Sequence, residues 1–314
     1  LQTEEKWMNE VIKTDRLSKD FGDLHAVNSI SLCVGKGEIY GFLGLSGAGK
    51  TTTIRMLLGM IKPTSGAAYL NGKLVNAGET ELWKNVGYLV ELPYSYPDLT
   101  VKEKLEIIRR LRGIDDTNAI SAVMGKLQLN KYADRKAGKL SQGNRQRLGI
   151  AKALIHSPEI LILDEPSNGL DPAGIVEIRE LLLDLALNKG VTVFISSHIL
   201  SEVSKIASRI GIIHEGVLIQ EINADRLEQL RLKKLVVNTV DNEKAKTILF
   251  AGGYDAVLSP DRNLIITDER VIGQPEKIAE ILVYSGCPPV LLMVEEEDLE
   301  SYFLRSIREK VSVK

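Results

Sequence analysis

Apolar residues fall along this chain in two rhythms. Short, nearly unbroken apolar runs occur at 38–43 (Glu-Ile-Tyr-Gly-Phe-Leu), 159–164 (Glu-Ile-Leu-Ile-Leu-Asp) and 191–196 (Val-Thr-Val-Phe-Ile-Ser). Runs of this kind, bounded by Gly or polar residues, predict parallel strands covered on both faces. Between them lie stretches with apolar residues three and four apart, at 50–60 and at 173–187 with its leucine stripe. These predict helices with one apolar face. Strands alternating with helices make an α/β architecture. Residues 15–34 and 66–74 read instead as antiparallel strands, with Asn71-Gly72 as a hairpin turn, and residues 101–137 read as mostly helical.

The rhythm changes after residue 231. Strand candidates at 235–240, 256–258, 264–267 and 290–294 alternate with helix candidates at 243–250, 276–285 and 297–309. The order β-α-β-β-α-β matches the split βαβ, or ferredoxin-like, plan. With Lys233-Lys234 as the boundary, the chain divides into domains 1–232 and 233–314. A length of 314 residues is ordinary for two domains.

Composition narrows the class. Lys plus Arg is 40 and Asp plus Glu is 42, a net charge of −2, which argues against nucleic acid as a partner. Hydrophobic content of 44% and charged content of 26% exclude wholesale disorder. No run approaches the ~20 apolar residues of a spanning helix. Residues 1–20 are charged and lack a signal-peptide core, and two cysteines, Cys33 and Cys287, build no disulfide framework. A soluble, cytoplasmic chain is expected.

The chemistry starts at Gly44-Leu45-Ser46-Gly47-Ala48-Gly49-Lys50-Thr51, followed by Thr52, which fits G-x-x-x-x-G-K-[ST]. Glycines let the backbone curl so that its N–H groups face phosphate oxygens, and a helix beginning near Lys50 adds its positive end. Lys50 supplies a point charge to the β- and γ-phosphates, and the Thr51 hydroxyl is an oxygen ligand suited to Mg²⁺. A second element, Asp164-Glu165, closes the apolar run 160–163. Ligands of open α/β sheets sit at the carboxyl ends of strands. Asp164 is expected to hold Mg²⁺, and Glu165 to orient or deprotonate an attacking water, as phosphoryl transfer requires.

Leu140-Ser141-Gln142-Gly143-Asn144 precedes this strand and resembles the L-S-G-G-Q signature of ABC-type ATPases. The motifs follow that family's order over about 11–230: the Gly44–Thr51 loop, a Glu91 segment, Ser141 to Asn144, Asp164-Glu165, Gly169-Leu170-Asp171 and His198. Gln142 stands where the first signature glycine is usual, and Asn144 where glutamine is usual. The resemblance implies a P-loop cassette with a parallel core sheet, an antiparallel β subdomain and a helical subdomain, followed here by a small α+β extension. It implies that two cassettes sandwich two ATP/Mg²⁺, with Ser141, Gln142, Gly143 and Asn144 facing the nucleotide of the other copy. It further implies adenine stacking by Phe21, γ-phosphate contact by His198, and signalling across the dimer by Asp171, which also suits a helix N-cap ahead of Pro172.

Glu91 occupies the place of a glutamine that usually contacts Mg²⁺ and the attacking water. Glutamate there, and the 296–304 segment, resemble exporter ATPases of the ABC-2 type, including bacitracin- and lantibiotic-export relatives. The resemblance therefore implies an ATPase on the inner face of the membrane that works through separate transmembrane permease subunits, with Tyr94 and Tyr96 suited either to that contact or to local packing. A soluble ABC ATPase acting on a protein or ribosomal partner is the alternative. A P-loop GTPase fails on spacing, because Asn130-Lys131-Tyr132-Ala133-Asp134 has one residue too many for N-K-x-D.

Overall fold

A computed structural model describes residues 10–90 and 96–311, the side chains of 310 and 311 excepted. It contains two compact units, residues 1–225 and 226–314. The strands of the first unit are β1 (Glu10–Phe21), β2 (Leu24–Gly35), β3 (Ile39–Leu43), β4 (Ser65–Leu70), β5 (Lys73–Leu74), β6 (Val86–Leu89), β7 (Ile160–Asp164), β8 (Thr192–Ser197), β9 (Arg209–His214) and β10 (Val217–Asn223). Its longer helices are α1 (Lys50–Leu57), α2 (Val101–Leu111), α3 (Ala119–Lys126), α4 (Gln142–Leu154) and α5 (Pro172–Lys189).

The core sheet runs β10-β9-β3-β8-β7-β6, parallel throughout except for the β9–β10 hairpin. β3 and β7 are buried at every position, as the unbroken apolar runs require. Tyr40 of β3 stacks on Phe194 of β8 with ring centroids 5.5 Å apart. This parallel register brings the carboxyl ends of β3, β7 and β8 to one edge, where the loop before α1 begins. A second sheet, β2-β1-β4-β5, is antiparallel. Its two-residue turn places Asn71 at φ 48° and Gly72 at φ 73°, both left-handed, as an Asn-Gly hairpin predicts. The 101–137 stretch folds as α2, α3 and two 3₁₀ turns, with a reciprocal capping box between Thr100 and Glu103 at the start of α2.

The pattern of apolar runs does not announce β6, β9 or β10. β6 is four residues long and lies at a sheet edge. In β9, Gly211 interrupts the apolar run because a Cβ there would fall 2.1 Å from the Tyr40 hydroxyl.

The second unit has β11 (Lys233–Thr239), β12 (Val257–Leu258), β13 (Leu264–Ile266) and β14 (Pro289–Glu296), with α6 (Asn242–Ala251), α7 (Glu276–Tyr284) and α8 (Leu299–Val311). The sheet is antiparallel in the order β12-β13-β11-β14, and the elements before α8 succeed one another as β-α-β-β-α-β. Its core comprises Leu235, Val237, Leu249, Leu264, Ile266, Ile278 and Leu282. The compact units part at 225/226, seven residues before the boundary expected from the change of rhythm along the chain. The intervening segment is tied inside the second unit: Arg305 donates to the Leu230 carbonyl at 3.0 Å, and the Leu232 amide donates to Glu297 Oε2 at 3.1 Å.

Candidate functional site

α1 opens on a loop whose shape depends on Gly49. Its φ is 106°, and a Cβ there would lie 2.6 Å from the Ala26 carbonyl oxygen. The first amides of α1, on Lys50, Thr51 and Thr52, have no intrahelical acceptor, and no side chain caps the helix. They form an anion-facing helix end. Lys50 is 7% exposed. Its ammonium donates to the carbonyls of Gly44 at 2.7 Å and Leu45 at 3.2 Å, and lies 3.3 Å from Glu165 Oε1. The cation is thus held at the mouth of the loop by three acceptors, matching its three N–H donors.

β7 delivers the two carboxylates. Asp164 is buried and accepts from Thr51 Oγ1 at 2.7 Å and from Ser196 Oγ at 2.5 Å. Glu165 turns the chain sharply, at φ 49°. That conformation is disfavoured for a residue with a Cβ and is maintained by surrounding bonds. Its amide donates to Ser196 Oγ at 3.0 Å, and its carbonyl accepts from the Asn168 amide at 3.1 Å and from Gln146 Nε2 at 3.0 Å. The turn directs one carboxylate oxygen to Lys50 and brings the other within 2.8 Å of His198 Nδ1. His198 is 47% exposed at the end of β8, free to meet a ligand.

Phe21, Glu165, His198 and the run 45–52 line one cleft of about 920 Å³. Phe21 stands at the end of β1, 51% exposed, with the Lys19 ammonium 5.0 Å from its ring centre. An exposed aromatic on the rim of a phosphate-binding loop suits stacking on a base. Phe21→Ala is expected to weaken ATP binding about tenfold, the worth of one base–aromatic stack, while Phe21→Trp retains it. Titration with a fluorescent ATP analogue measures both.

The donor set also fits Mg²⁺. Thr51 and Asp164 are oxygen donors 2.7 Å apart beside the helix end. Among the described residues no cluster of three or more His, Cys, Asp or Glu could hold a metal by itself. Two protein oxygens, completed by phosphates and water, are the usual complement for this cation. Glu91, the third predicted metal contact, lies outside the described residues, as does Tyr94. Tyr96 is 72% exposed.

The remaining predicted residues do not reach this cleft. Ser141 caps α4, its Oγ accepting from the Asn144 amide at 3.3 Å. Asp171 caps α5, its Oδ1 accepting from the Gly174 amide at 3.1 Å. Gln142 and Gly143 pack on the loop before Asp171: a Cβ on Gly169 would meet Gln142 Cγ and Cδ at 2.5 Å, and one on Gly143 would meet the Gly169 carbonyl at 2.9 Å. Asn144 hydrogen-bonds the Tyr132 side chain, which holds that phenol below its ordinary range. Ser141 to Asn144 and Asp171 therefore form a second surface, and any nucleotide it serves is not the one in this copy's cleft. Sequence reasoning passed over Ser196 and Gln146, the residues that fix Asp164 and Glu165. The one signal for Ser196 is its place beside Ser197-His198 at a strand end.

The family model described as ABC transporter matches residues 27–168. The chain is 42% identical over 301 residues to the bacitracin transport ATP-binding protein BcrA of Bacillus licheniformis, covering 96% of this chain and 98% of that protein. It is 36% identical to the lantibiotic transport ATP-binding protein SrtF of Streptococcus pyogenes, covering 75% of this chain and 100% of that one. Among solved structures, the dimeric bacterial ABC transporter cassette MJ0796 aligns with a TM-score of 0.63 at 27% identity, covering 68% of this chain and 98% of that one. The same cassette in a post-hydrolysis state bound to ADP and Pi aligns equally well, with a TM-score of 0.63.

Proposed function

The chain belongs to the ABC transporter ATP-binding proteins, and on that premise we propose that it powers export of a peptide antibiotic of the bacitracin or lantibiotic class. It is an ATPase subunit, and ATP with Mg²⁺ is its fuel. The observation that carries the assignment of roles is the Glu165 clamp: one carboxylate set between Lys50 and His198 by a left-handed turn at the end of β7. Lys50 and the amides of 50–52 hold the phosphates, Thr51 and Asp164 hold Mg²⁺, and Phe21 stacks on adenine. Mg²⁺, when bound, neutralises phosphate charge. Glu165 then orients a water and accepts its proton, and His198 fixes the carboxylate and contacts the γ-phosphate. The Ser141–Asn144 surface, with the N-terminal end of α4, serves the nucleotide of a second copy, so closure of two cassettes completes both sites. Loss of the γ-phosphate removes the anion that joins them.

The relatives are transport ATP-binding proteins, and on that likeness translocation is assigned to separate permease chains; among the described residues no helix is long and apolar enough to cross a membrane. A groove of about 300 Å³ beside β6 supports this contact. Leu89, Ile108 and Leu111 line it with Lys152, whose ammonium has no ion-pair partner among the described residues and is pushed below its ordinary range by burial. An apolar segment carrying a carboxylate, presented by a permease on the inner face of the membrane, complements that groove. Co-expressed with its permease, the chain is expected to purify in a membrane complex whose ATPase is stimulated by bacitracin or a lantibiotic. Lys152→Glu is expected to release it. Recovery on ribosomes instead, or an ATPase indifferent to such peptides, would refute the export reading.

A further inference from the structure

The turn that carries Glu165 is gripped from α4. Gln146 is 3% exposed and reaches across to the Glu165 carbonyl. One helical turn earlier, on the same face, Gln142 fills the space beside Gly169. Two glutamines spaced i, i+4 thus hold the start and the middle of the loop between β7 and α5. The Asn168 amide is the carbonyl's other donor, so without Gln146 one of its two bonds remains and the residue is freer to relax from its left-handed φ of 49° towards the extended conformation of β7. The carboxylate would then swing away from Lys50 and His198. Gln146 does not line the cleft, and its side-chain hydrogen bond goes to Glu165, so its influence on hydrolysis passes through that residue.

We propose that Gln146 is a positioning residue for hydrolysis: its amide holds the Glu165 carbonyl, fixes the turn that aims the carboxylate, and makes the first turns of α4 part of the setting of the base. This rests on the reading of Glu165 as the base. It also gives the second surface a physical link to the first. α4 is one rigid element, so an anion engaged at its N-terminus is felt at Gln146, and through it at Glu165.

The test uses the full chain hydrolysing MgATP. Gln146→Met keeps the side-chain length and removes the donor. The expected result is a kcat about tenfold lower, the worth of one buried hydrogen bond, with KM for ATP and binding of a fluorescent ATP analogue unchanged. Gln146→Glu provides a readout that a merely structural role would not move. As a carboxylate it only accepts, and faces the Glu165 carbonyl; protonated, it donates again. Its kcat relative to the parent is expected to recover as pH falls from about 8 to about 6, since burial raises a carboxyl pKa. An unchanged kcat in Gln146→Met, an equal rise in KM, or a Gln146→Glu deficit independent of pH would overturn the proposal. Glu165→Gln separates the two readings. Near-normal turnover there removes the base assignment, whereas a severe loss there beside an unaffected Gln146→Met overturns the positioning role alone.

Discussion

Glu165→Gln is expected to lower ATP hydrolysis by about 10²- to 10⁴-fold, the range for losing a general base, while ATP still binds. The substitution preserves shape, so the left-handed turn and its bonds to Ser196, Asn168 and Gln146 persist. What disappears is the capacity to take a proton from water. Binding is expected to hold or tighten, for an electrostatic reason. The Glu165 carboxylate lies 3.3 Å from the Lys50 ammonium and competes with phosphate for it. Removing the negative charge relieves that competition and the repulsion of the γ-phosphate. With MgATP, Glu165→Gln is therefore expected to migrate as a stable dimer in size-exclusion chromatography, while phosphate release falls to background. Turnover close to that of the parent chain would show that another group accepts the proton.

How much of this site was legible in the sequence follows chain distance. Gly44 to Thr51 is a local device: strand, loop and helix start lie within eight residues, and the spacing states what the backbone must do. Asp164-Glu165 is local too, so their place at a strand end could be read. Their orientation could not, because it is set by partners far along the chain. Ser196 is 32 residues from Asp164, and Gln146 is 19 residues from Glu165. No periodicity marks a serine that accepts from one backbone amide while donating to a carboxylate. The same limit applies to the separation of Phe21, near the cleft, from Ser141 to Asn144, away from it: only the resemblance to a dimeric family implied two surfaces.

The fold shows a matching division. Unbroken apolar runs located β3, β7 and β8, because burial on both faces writes itself into composition. β10 hides, since most of its side chains are half-buried and alternate weakly. The compact units part seven residues before the Lys233-Lys234 boundary for a comparable reason. Leu230 to Leu232 look like the tail of a helix, yet Arg305 and Glu297, about 65 to 75 residues onward, draw them into the second unit.

Lys50→Met is expected to differ from Glu165→Gln in one respect: it weakens ATP binding as well as hydrolysis. The side chain is buried, and its three donors are spent on Gly44, Leu45 and Glu165. Methionine retains the stem and removes the charge, leaving the Glu165 carboxylate held by His198 alone, with no lysine cation beside it in the pocket that must receive a polyphosphate. Breaking such a pair costs about 3 kcal/mol or more, so MgATP affinity is expected to fall by about 10²-fold, with turnover below detection at ordinary ATP concentrations. The double variant is the informative comparison. If Glu165 repels phosphate chiefly because Lys50 no longer neutralises it, then Lys50→Met with Glu165→Gln should recover part of the lost affinity and none of the hydrolysis. Isothermal titration with MgATP reads the first and phosphate release the second. A Lys50→Met chain that bound ATP like its parent would place the phosphates elsewhere than the loop before α1.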